Sequence, residues 1–407
     1  MRQLYTIVLR LALPFILLRL WWRGRREPGY REHVQERFGI YSGEKPQQAL
    51  WVHAVSVGEA RAAAPLVRAL KGLLPDHTVV MTCTTAAGRE TLKQVYGQSV
   101  LAAFLPYDYP ESVQGFLERF RPRLGVLMET ELWPNLLAQC ERRAVPVVLA
   151  NARMSEKSAR GYRRWRVLTA PGIRSLAAVC AQSEADAGRL RALGAPRVEV
   201  TGNLKFDATL DEAQLAAGRE WKAKLGRPVL LLASTREGEE KILIEALPTP
   251  LENLLIVVVP RHPQRFDEVA QWADGRRSRN DVPDGKTRIY LGDTMGEMAF
   301  YYAACDVAVI GGSFLPLGGQ NLIEALAAGA PVVVGPSMFN FAEATRLALD
   351  AGAAVQAGDA TTAIRQAVAL ISDRKKRDEM ARAGKSLCEA HRGATAKHLE
   401  VCRRLIR

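Results

Sequence analysis

The amino-acid sequence predicts an α/β fold with two doubly wound domains, each built on a parallel sheet. Short apolar runs alternate with helical patterns along most of the chain, as expected when strands are followed by helices. The alternation gives way to a polar helical stretch near 208–226 and then restarts. The chain has 407 residues, of which 48% are hydrophobic, enough for two domains that each bury their own core.

The first element is an apolar segment, Leu4–Trp22, that we expect to contact a membrane. It ends in a tryptophan pair, and the arginines within 23–26 would hold the next domain on the cytoplasmic side. Arg10, Pro14 and Arg19 leave it well short of the roughly 20 uninterrupted apolar residues of a membrane span. Arg10 and Arg19 point to opposite sides of a straight helix, so a simple amphipathic helix fits only if Pro14 kinks it. A shallow anchor and a span both stay open.

The remaining elements form the two sheets. Seven apolar strands are predicted in the first domain, at 49–56, 78–85, 100–106, 123–130, 146–153, 177–183 and 198–204. Six are predicted in the second, at 228–235, 254–260, 287–293, 307–313, 331–336 and 353–358. The charged C-terminal segment is predicted to be helical and could pack back across the groove between the two domains. The resulting boundaries are a membrane anchor at 1–25, an N-terminal domain at 26–207 and a C-terminal domain at 208–407.

Charge and cysteine content restrict the class of protein. The net charge of +13 favours an anionic partner, which is nucleic acid, a phospholipid surface or a phosphorylated substrate. Nucleic acid is the weakest of these, because no nucleic-acid-binding motif is found. The six cysteines form no C-x-x-C pair and mostly lie in apolar runs, as expected of reduced core residues in the cytosol. We expect no metal, because no His, Asp and Cys cluster has ligand spacing, and we interpret His53 and His262 as structural or hydrogen-bonding residues.

The most informative segment is Val307–Pro336, in which two apolar strands flank a glycine-rich loop. Glycines within 311–319 let the backbone approach a ligand without a Cβ clash, and we expect a helix to start at Asn321. The first turn of that helix would present unpaired N–H groups to an anion, and Glu324 would hold ribose or sugar hydroxyls. The segment therefore predicts a nucleotide-sugar site. Because glycine loops are common, an ordinary strand, loop and helix is the alternative.

Polar residues follow several predicted strands, at the edge where parallel sheets bind ligands. Glu59, Glu129 and Lys205 follow strands of the first domain. Arg261 and the segment 234–239 follow strands of the second. Taken singly, Glu59 is equally well explained as a carboxylate at a helix N-terminus, and Lys205 and Arg261 as solvated surface cations. Their shared position at the rim is what favours a functional site.

Nine short strings recur along the chain in a characteristic order and spacing. They are SVGE, METELWPN, NAR, GNLKFD, STREGEE, VPRHPQRF, GDTMGEM, GGSFLPLGGQNLIEA and GPSMFNF. Together with the N-terminal segment, they resemble the 3-deoxy-D-manno-octulosonic acid (Kdo) transferase family over nearly the whole chain. Two positions depart from the family pattern: Gln320 stands where the family usually has His, and Arg236 where it often has His. Gln320 keeps hydrogen-bonding capacity but cannot titrate.

The resemblance implies a GT-B fold, with two Rossmann-like domains facing a cleft and an N-terminal membrane-anchor helix. It implies an inverting glycosyltransferase that moves Kdo from CMP-Kdo to the lipid A precursor, lipid IVA, in lipopolysaccharide biosynthesis. The N-terminal domain would bind this acceptor and the C-terminal domain the CMP-Kdo donor. The reaction would take place at the cytoplasmic face of the bacterial inner membrane, without a cofactor or metal.

By the same resemblance, Glu59 is the general base, and Glu129 and Lys205 lie near the reacting sugar. The implied donor-binding residues are Ser234, Arg261, Met295, Gly296, Glu297, Gly312, Asn321 and Glu324. Two alternatives stay open. One is a transferase of the same fold with another nucleotide-sugar donor, which the SVGE and GNLKFD strings disfavour. The other is a non-catalytic basic protein that docks on membranes, which leaves the strand-end carboxylates unexplained.

Overall fold

The computed structural model contains two parallel sheets, one in each of the two units into which the chain divides. It describes residues 1–43, 45–46, 48–248 and 253–406. The first unit consists of Met1–Ala208 together with the segment from Arg392 to the C-terminus, and the second of Thr209–His391. The predicted second domain ran to 407, whereas the last helix packs within the first unit.

The sheet of the first unit has seven strands in the order β3-β2-β1-β4-β5-β6-β7, and every neighbouring pair is parallel. Its strands are β1 (Ala49–His53), β2 (Thr78–Cys83), β3 (Leu101–Phe104), β4 (Pro122–Met128), β5 (Val147–Ala152), β6 (Ala178–Ala181) and β7 (Val198–Val200). Its helices are α1 (Arg2–Arg26), α2 (Val57–Ala62), α3 (Ala64–Leu73), α4 (Ala86–Tyr96), α5 (Pro110–Phe120), α6 (Pro134–Arg142), α7 (Glu156–Arg164), α8 (Arg166–Arg174) and α9 (Glu184–Ala192).

The sheet of the second unit also has seven parallel strands, in the order β10-β11-β9-β8-β12-β13-β14. These are β8 (Val229–Thr235), β9 (Leu255–Pro260), β10 (Gly275–Arg276), β11 (Ile289–Leu291), β12 (Val307–Ile310), β13 (Val332–Val334) and β14 (Ala354–Gln356). The helices are α10 (Glu212–Leu225), α11 (Glu239–Glu245), α12 (Phe266–Val269), α13 (Met298–Ala304), α14 (Ile323–Ala328), α15 (Ala342–Asp350), α16 (Ala360–Ser372) and α17 (Arg374–Ala390). The last helix, α18 (Ala394–Leu405), returns to the first unit.

Short 3₁₀ helices complete the connections. They lie at Pro28–Tyr30, Val34–Phe38, Gly97–Ser99, Leu204–Asp207, Pro263–Arg265, Ala270–Trp272, Arg277–Arg279 and Phe339–Phe341. All thirteen predicted strands are present, while β10 escaped prediction because two residues are too few to show any periodicity.

Each sheet has a point where its strand order reverses, between β1 and β4 in the first and between β8 and β12 in the second. In doubly wound sheets the ligand crevice lies beyond the carboxyl ends of the strands at this point. Both faces of the first sheet are covered: Leu50 and Val52 of β1 enter one core, and Ala49 and Trp51 enter the other. The rigid, buried strands thus present their carboxyl ends as a fixed rim.

Helix α1 packs against the first unit with one face and exposes the other. Thr6 and Leu20 are buried, and Leu9 and Ile16 are half-buried. The Asn135 amide donates to Thr6 Oγ1 (3.0 Å), and a tyrosine hydroxyl of the domain donates to the Leu9 carbonyl (2.8 Å). The opposite face carries apolar side chains that we call the exposed stripe: Leu4, Ile7, Val8, Leu11, Phe15, Leu18 and Trp22.

The helix continues through Pro14, and apolar side chains occupy both its packed face and its exposed stripe. At 100° per residue, Arg10 and Arg19 fall on the two sides between the packed face and the exposed stripe. Because both faces are apolar and the two arginines lie on opposite sides, α1 is not a simple amphipathic helix. Among the residues that the structure describes, α1 is long and apolar enough to cross a membrane by length and composition.

Candidate active site

Two predicted site carboxylates meet at the reversal point of the first sheet. Glu59 follows β1 in the first turn of α2, and Glu129 follows β4 directly. Strands β1 and β4 are neighbours in register, with His53 opposite Leu127. The parallel topology therefore brings together two residues that lie far apart in the sequence.

Glu59 is held by hydrogen bonds around the N-terminus of α2, whose N-cap is Ser56. The Val55 N–H donates to Oε2 (3.0 Å) and the Ser56 hydroxyl to Oε1 (2.9 Å), while Ser56 Oγ accepts the Glu59 N–H (3.3 Å). This arrangement resembles a capping box and fixes the side chain. Burial raises the pKa of Glu59 to about 7, and the neighbouring Glu129 carboxylate adds to the rise. A positioned carboxylate with a pKa near 7 is suited to act as a general base.

Glu129 forms the centre of an ion-pair cluster. Its φ of 57° is left-handed, a conformation uncommon for residues other than glycine and often found at functional sites. Lys205 Nζ donates to its Oε1 (3.0 Å), and Arg153 lies 3.9 Å from its Oε2. Burial would raise the pKa of Glu129, but the two cations outweigh it and hold the pKa below its ordinary value. Glu129 is therefore ionised, whereas Glu59 is poised to accept a proton. Two neighbouring acids whose pKa values are separated in this way can have different roles in one reaction.

Lys205 is held by a buried network that sequence reasoning missed. Asn151 Oδ1 accepts the Leu204 N–H (3.0 Å), and the Asn151 N–H donates to His398 Nε2 (2.9 Å). His398 Nδ1 lies 2.7 Å from the Ala394 carbonyl, so Nδ1 carries the proton and Nε2 accepts. Burial lowers the pKa of His398 to about 4, which keeps the ring neutral. The NAR and GNLKFD strings contain the first two members, but His398 lies in none of the strings.

Helix α18 is joined to the same turn at a second point. Asp207, two residues after Lys205, accepts the N–H of Gly393 (2.7 Å) and that of Thr395. A carboxylate at a helix N-terminus is favourable, because the helix dipole is positive there. The returning C-terminal helix is thus part of the support of the active site.

In the second unit, predicted donor-site residues end the two strands at the reversal point. Ser234 has a φ of 56° at a register shift in β8. Gly311 follows β12, and a Cβ at this position would lie 2.6 Å from the Ser234 carbonyl oxygen. Gly312 has a φ of 69°, where glycine is strongly favoured. The backbone at Gly311 packs closely on the segment around Ser234, and this packing requires glycine at position 311. The sequence had suggested ligand approach as the only reason for this glycine.

Glu239, the last residue of the strand-end segment 234–239, organises the glycine loop. Its side chain is fully buried and accepts the N–H groups of Arg236 (2.9 Å), Phe314 (2.9 Å) and Gly312. Three N–H donors compensate the burial of this carboxylate. The STREGEE string shows an acidic residue shortly after a strand, which is the sequence pattern that could have predicted this role.

The helix predicted to start at Asn321 starts at Ile323 instead. The Asn321 side chain accepts the Ile323 N–H (3.1 Å) and donates to Glu324 Oε1 (2.9 Å). The helix therefore begins two residues later than predicted, and the N–H of its first residue is paired with the Asn321 side chain rather than open to an anion. Asn321 and Glu324 do come together, as one hydrogen-bonded pair.

Cations gather beyond β8 and β9. Arg261 follows β9, and Arg236 follows β8. Partial desolvation lowers the pKa of His262, and the charges of Arg236, Arg261 and Arg265 lower it further. Arg265 is committed to Glu240 (2.6 Å). Arg236 and Arg261 follow the two strands at the carboxyl edge of the second sheet, the edge at which parallel sheets bind ligands.

The predicted turn Met295–Glu297 precedes α13. Gly296 has a φ of 86°, and its carbonyl accepts the Gln214 amide (2.9 Å). Arg277 donates to both Glu297 oxygens (3.0 and 3.2 Å) and thereby lowers the Glu297 pKa. Met295 is 53% exposed. Among the described residues, no group of three or more His, Cys, Asp or Glu side chains is arranged to hold a metal ion.

Comparisons with known proteins decide the family. The family described as 3-Deoxy-D-manno-octulosonic-acid transferase (kdotransferase) matches residues 32–208, and the family Glycosyl transferases group 1 matches residues 278–387. The 3-deoxy-D-manno-octulosonic acid transferase of Bordetella pertussis is 45% identical over 98% of this chain and 98% of its own. The chain belongs to the Kdo transferase family. The enzyme of the same name from Haemophilus influenzae is 35% identical over 98% of this chain and 97% of its own.

The fold of this Kdo transferase is similar to that of UDP-GlcNAc 2-epimerase from Neisseria meningitidis bound to UDP-GlcNAc. The TM-score is 0.60 at 16% identity, covering 88% of this chain and 100% of the other. At this identity the likeness concerns the fold alone. The prediction of a GT-B fold class with two Rossmann-like domains and an N-terminal apolar helix is confirmed. The backbone N–H of Gln320 donates to the Gly311 carbonyl (3.0 Å) and so helps to close the glycine loop.

Proposed function

We propose that this Kdo transferase moves Kdo from CMP-Kdo to the lipid A precursor, lipid IVA, with inversion at the anomeric carbon. The observation that carries the mechanism is the pairing of Glu59, whose pKa is about 7, with the low-pKa Glu129 beside Lys205. The reaction itself is supported by membership of the family and by the activity named for the Bordetella and Haemophilus relatives.

In the proposed reaction, the acceptor hydroxyl oxygen attacks the anomeric carbon of Kdo. A carbon–oxygen bond forms to the acceptor, and the bond from the anomeric carbon to the phosphate oxygen of CMP breaks, its electron pair leaving with CMP. The acceptor proton passes to Glu59, a step that contributes roughly 10²–10⁴-fold to the rate. Lys205, already fixed by Glu129, stabilises the Kdo carboxylate or the charge that develops on the phosphate.

The second unit is proposed to bind the donor. Arg261 and Arg236 stabilise the phosphate. The backbone at Ser234 and Gly312, near the carboxyl ends of β8 and β12, positions the phosphate. Glu324, oriented by Asn321, accepts hydrogen bonds from ribose or sugar hydroxyls. The turn Met295–Glu297 completes the nucleotide contacts. Because these protein groups supply the charge that the departing CMP needs, we propose a reaction without metal or cofactor.

Helix α1 is proposed to hold the enzyme on the cytoplasmic face of the inner membrane, lying in one leaflet rather than spanning the bilayer. A span would remove Thr6 and Leu9 from their hydrogen bonds with the first unit. The exposed stripe is suited to shallow insertion. Arg19 and the arginines that follow it would add about 1 kcal/mol each near an anionic surface.

The test is a transfer assay with CMP-Kdo and lipid IVA in detergent, with the products identified by mass spectrometry. We expect a product heavier by Kdo residues and release of CMP. Calorimetry with CMP, UDP and GDP identifies the donor class, and CMP should bind most tightly. Transfer from a UDP- or GDP-sugar, or tight binding of UDP in place of CMP, would overturn the donor assignment. Absence of transfer by a folded protein that sediments with liposomes would favour the non-catalytic alternative.

A further inference from the structure

A cavity of about 490 Å³ lies between α1 and the carboxyl edge of the first sheet. One wall is the packed face of α1, with Leu9, Ile16 and Leu20 contributing apolar surface. The opposite wall is formed by the segments that follow β1, β2, β3 and β4. Helix α1 is thus a wall of a pocket as well as a surface for a membrane.

The lining of the cavity includes a buried arginine, Arg37, that forms no ion pair with an acid among the described residues. Arg37 is 3% exposed, and it donates from Nη1 to the Thr84 carbonyl (3.1 Å). Its guanidinium lies over the Phe104 ring (3.9 Å to the centroid) and beside the Tyr107 hydroxyl, and its buried Nε and Nη2 atoms have no hydrogen-bond partner of ordinary geometry among the described residues. The adjacent acid, Glu36, is bound by Arg89, which donates to both its oxygens. A buried guanidinium with unused donors is costly, and an anion in the cavity would compensate it.

The other charges of the lining also favour an anion. Arg19 and Arg23 of α1 face the same cavity. The two acids of the lining are already engaged: Asp108 accepts two N–H groups at the start of α6 (2.8 and 2.9 Å), and Glu131 accepts the Trp133 indole N–H (3.0 Å). The cavity therefore offers three guanidinium groups beside an apolar wall, the combination that suits a phosphorylated lipid.

The cavity also adjoins the proposed base. Val55 belongs to its lining and donates its backbone N–H to the Glu59 carboxylate (3.0 Å). A ligand in the cavity would therefore extend to within reach of the group that takes the acceptor proton.

We propose that this cavity is a subsite for the acceptor, in which Arg37, with Arg19 and Arg23, binds a phosphate group while an acyl chain lies along Leu9 and Ile16 of α1. The proposal rests on the proposed function, because the acceptor considered there is a phosphorylated, acylated disaccharide. It adds that α1 takes part in substrate binding. A phospholipid of the membrane shares the chemistry of phosphate and acyl chain, but only the acceptor must also reach Glu59.

The test is direct binding of lipid IVA to the full-length protein in detergent, which does not depend on transfer. Arg37→Met should weaken binding about 10- to 100-fold, as expected for the loss of charge-assisted hydrogen bonds. The loss should shrink to less than about threefold with enzymatically dephosphorylated acceptor, because the phosphate that pairs with the guanidinium is then absent. The melting temperature should change little, since the substitution removes a buried charge that has no ion pair at the cost of one hydrogen bond, to the Thr84 carbonyl. Arg10→Gln is the matched control on α1, because Arg10 pairs with Glu111 (3.2 Å) outside the cavity.

The apolar wall is tested separately by Ile16→Asn. This variant should weaken binding of the acylated acceptor and leave a deacylated, phosphorylated disaccharide unaffected. An equal loss in Arg37→Met with phosphorylated and dephosphorylated lipid would assign Arg37 a structural role and overturn the proposal. Phosphatidic acid that binds as tightly as lipid IVA, with the same loss in Arg37→Met, would make the cavity a phospholipid site and also overturn it. A failure of the proposed function is distinguishable, since it would abolish transfer without changing these binding ratios.

Discussion

Replacing Glu59 with glutamine separates its proposed role as a base from its role at the N-terminus of α2. The amide keeps the shape of the side chain and can still accept a hydrogen bond from Val55 or Ser56, which donate to Glu59 at 3.0 and 2.9 Å. It cannot take a proton. We therefore expect turnover to fall roughly 10²–10⁴-fold while CMP affinity stays unchanged.

The change in stability follows from the pKa. The ordinary pKa of a glutamate is 4.5, and that of Glu59 is about 7. The folded protein thus holds this proton more tightly than the unfolded chain does, so the contribution of Glu59 to the free energy of unfolding falls as the pH rises from 4.5 to 7. The fall is at most about 3 kcal/mol, and less because the side chain is partly exposed to solvent. Glu59→Gln does not titrate and should be more stable than the wild type at pH 8, by about 1–3 kcal/mol.

The assay combines urea unfolding at pH 5 and pH 8 with the pH profile of kcat/KM. For the wild type, kcat/KM should rise through pH 7 as Glu59 loses its proton, and this rise should be absent in the variant. Asp186→Asn is a matched control: at the same position of α9, Asp186 accepts the Ser183 hydroxyl (2.6 Å) and the Met154 N–H (2.8 Å). The control should lose stability without losing turnover.

Two results would refute this reasoning. Retained turnover in folded Glu59→Gln would remove Glu59 from the mechanism. A variant that is inactive but also less stable than the wild type at pH 8, as Asp186→Asn should be, would show that capping rather than a raised pKa explains the residue.

Three further predictions concern the ion pair, the donor site and the membrane. Lys205→Met should raise the pKa of Glu129, because the ammonium group holds that pKa down, and it should slow transfer about 10- to 100-fold. An unchanged acid limb of the pH profile together with normal turnover would contradict both the pKa effect and the role in transfer. Arg261→Ala and Glu324→Ala should each weaken CMP binding by about 1.5–3 kcal/mol in calorimetry. The control is Arg346→Ala, which should leave CMP binding unchanged because Arg346 lies in an exposed ion pair with Glu343 and Asp350. Equal CMP affinities in all three variants would place the donor site elsewhere. Glutamine at three positions of the exposed stripe of α1 should reduce sedimentation with anionic liposomes and leave CMP affinity intact, and high salt should weaken but not abolish the binding of the wild type.

The two doubly wound sheets, and the rim on which the site lies, were predictable from the amino-acid sequence. Strands such as Leu255–Pro260 are continuous apolar runs, and the pattern of a buried strand is local in the chain. Parallel strands place their carboxyl ends at one edge, so Glu59, Glu129 and Lys205 were predictable as strand-end residues before any coordinates were considered. The order and spacing of the strings were enough to predict the family.

How these residues are held, and which of them are charged, depends on contacts that form only in the folded protein. His398 supports the Lys205 turn through Asn151, across 247 positions of the chain, and no local pattern encodes that contact. The pKa of about 7 at Glu59 arises from burial and from a carboxylate on the neighbouring strand, which are properties of the assembled sheet. Arg37 is an ordinary cation in the sequence. It becomes a candidate ligand-binding residue only because packing buries it in a cavity of which α1 forms one wall. Local periodicity specifies strands and helices, whereas the energy of a charge depends on what surrounds it in three dimensions.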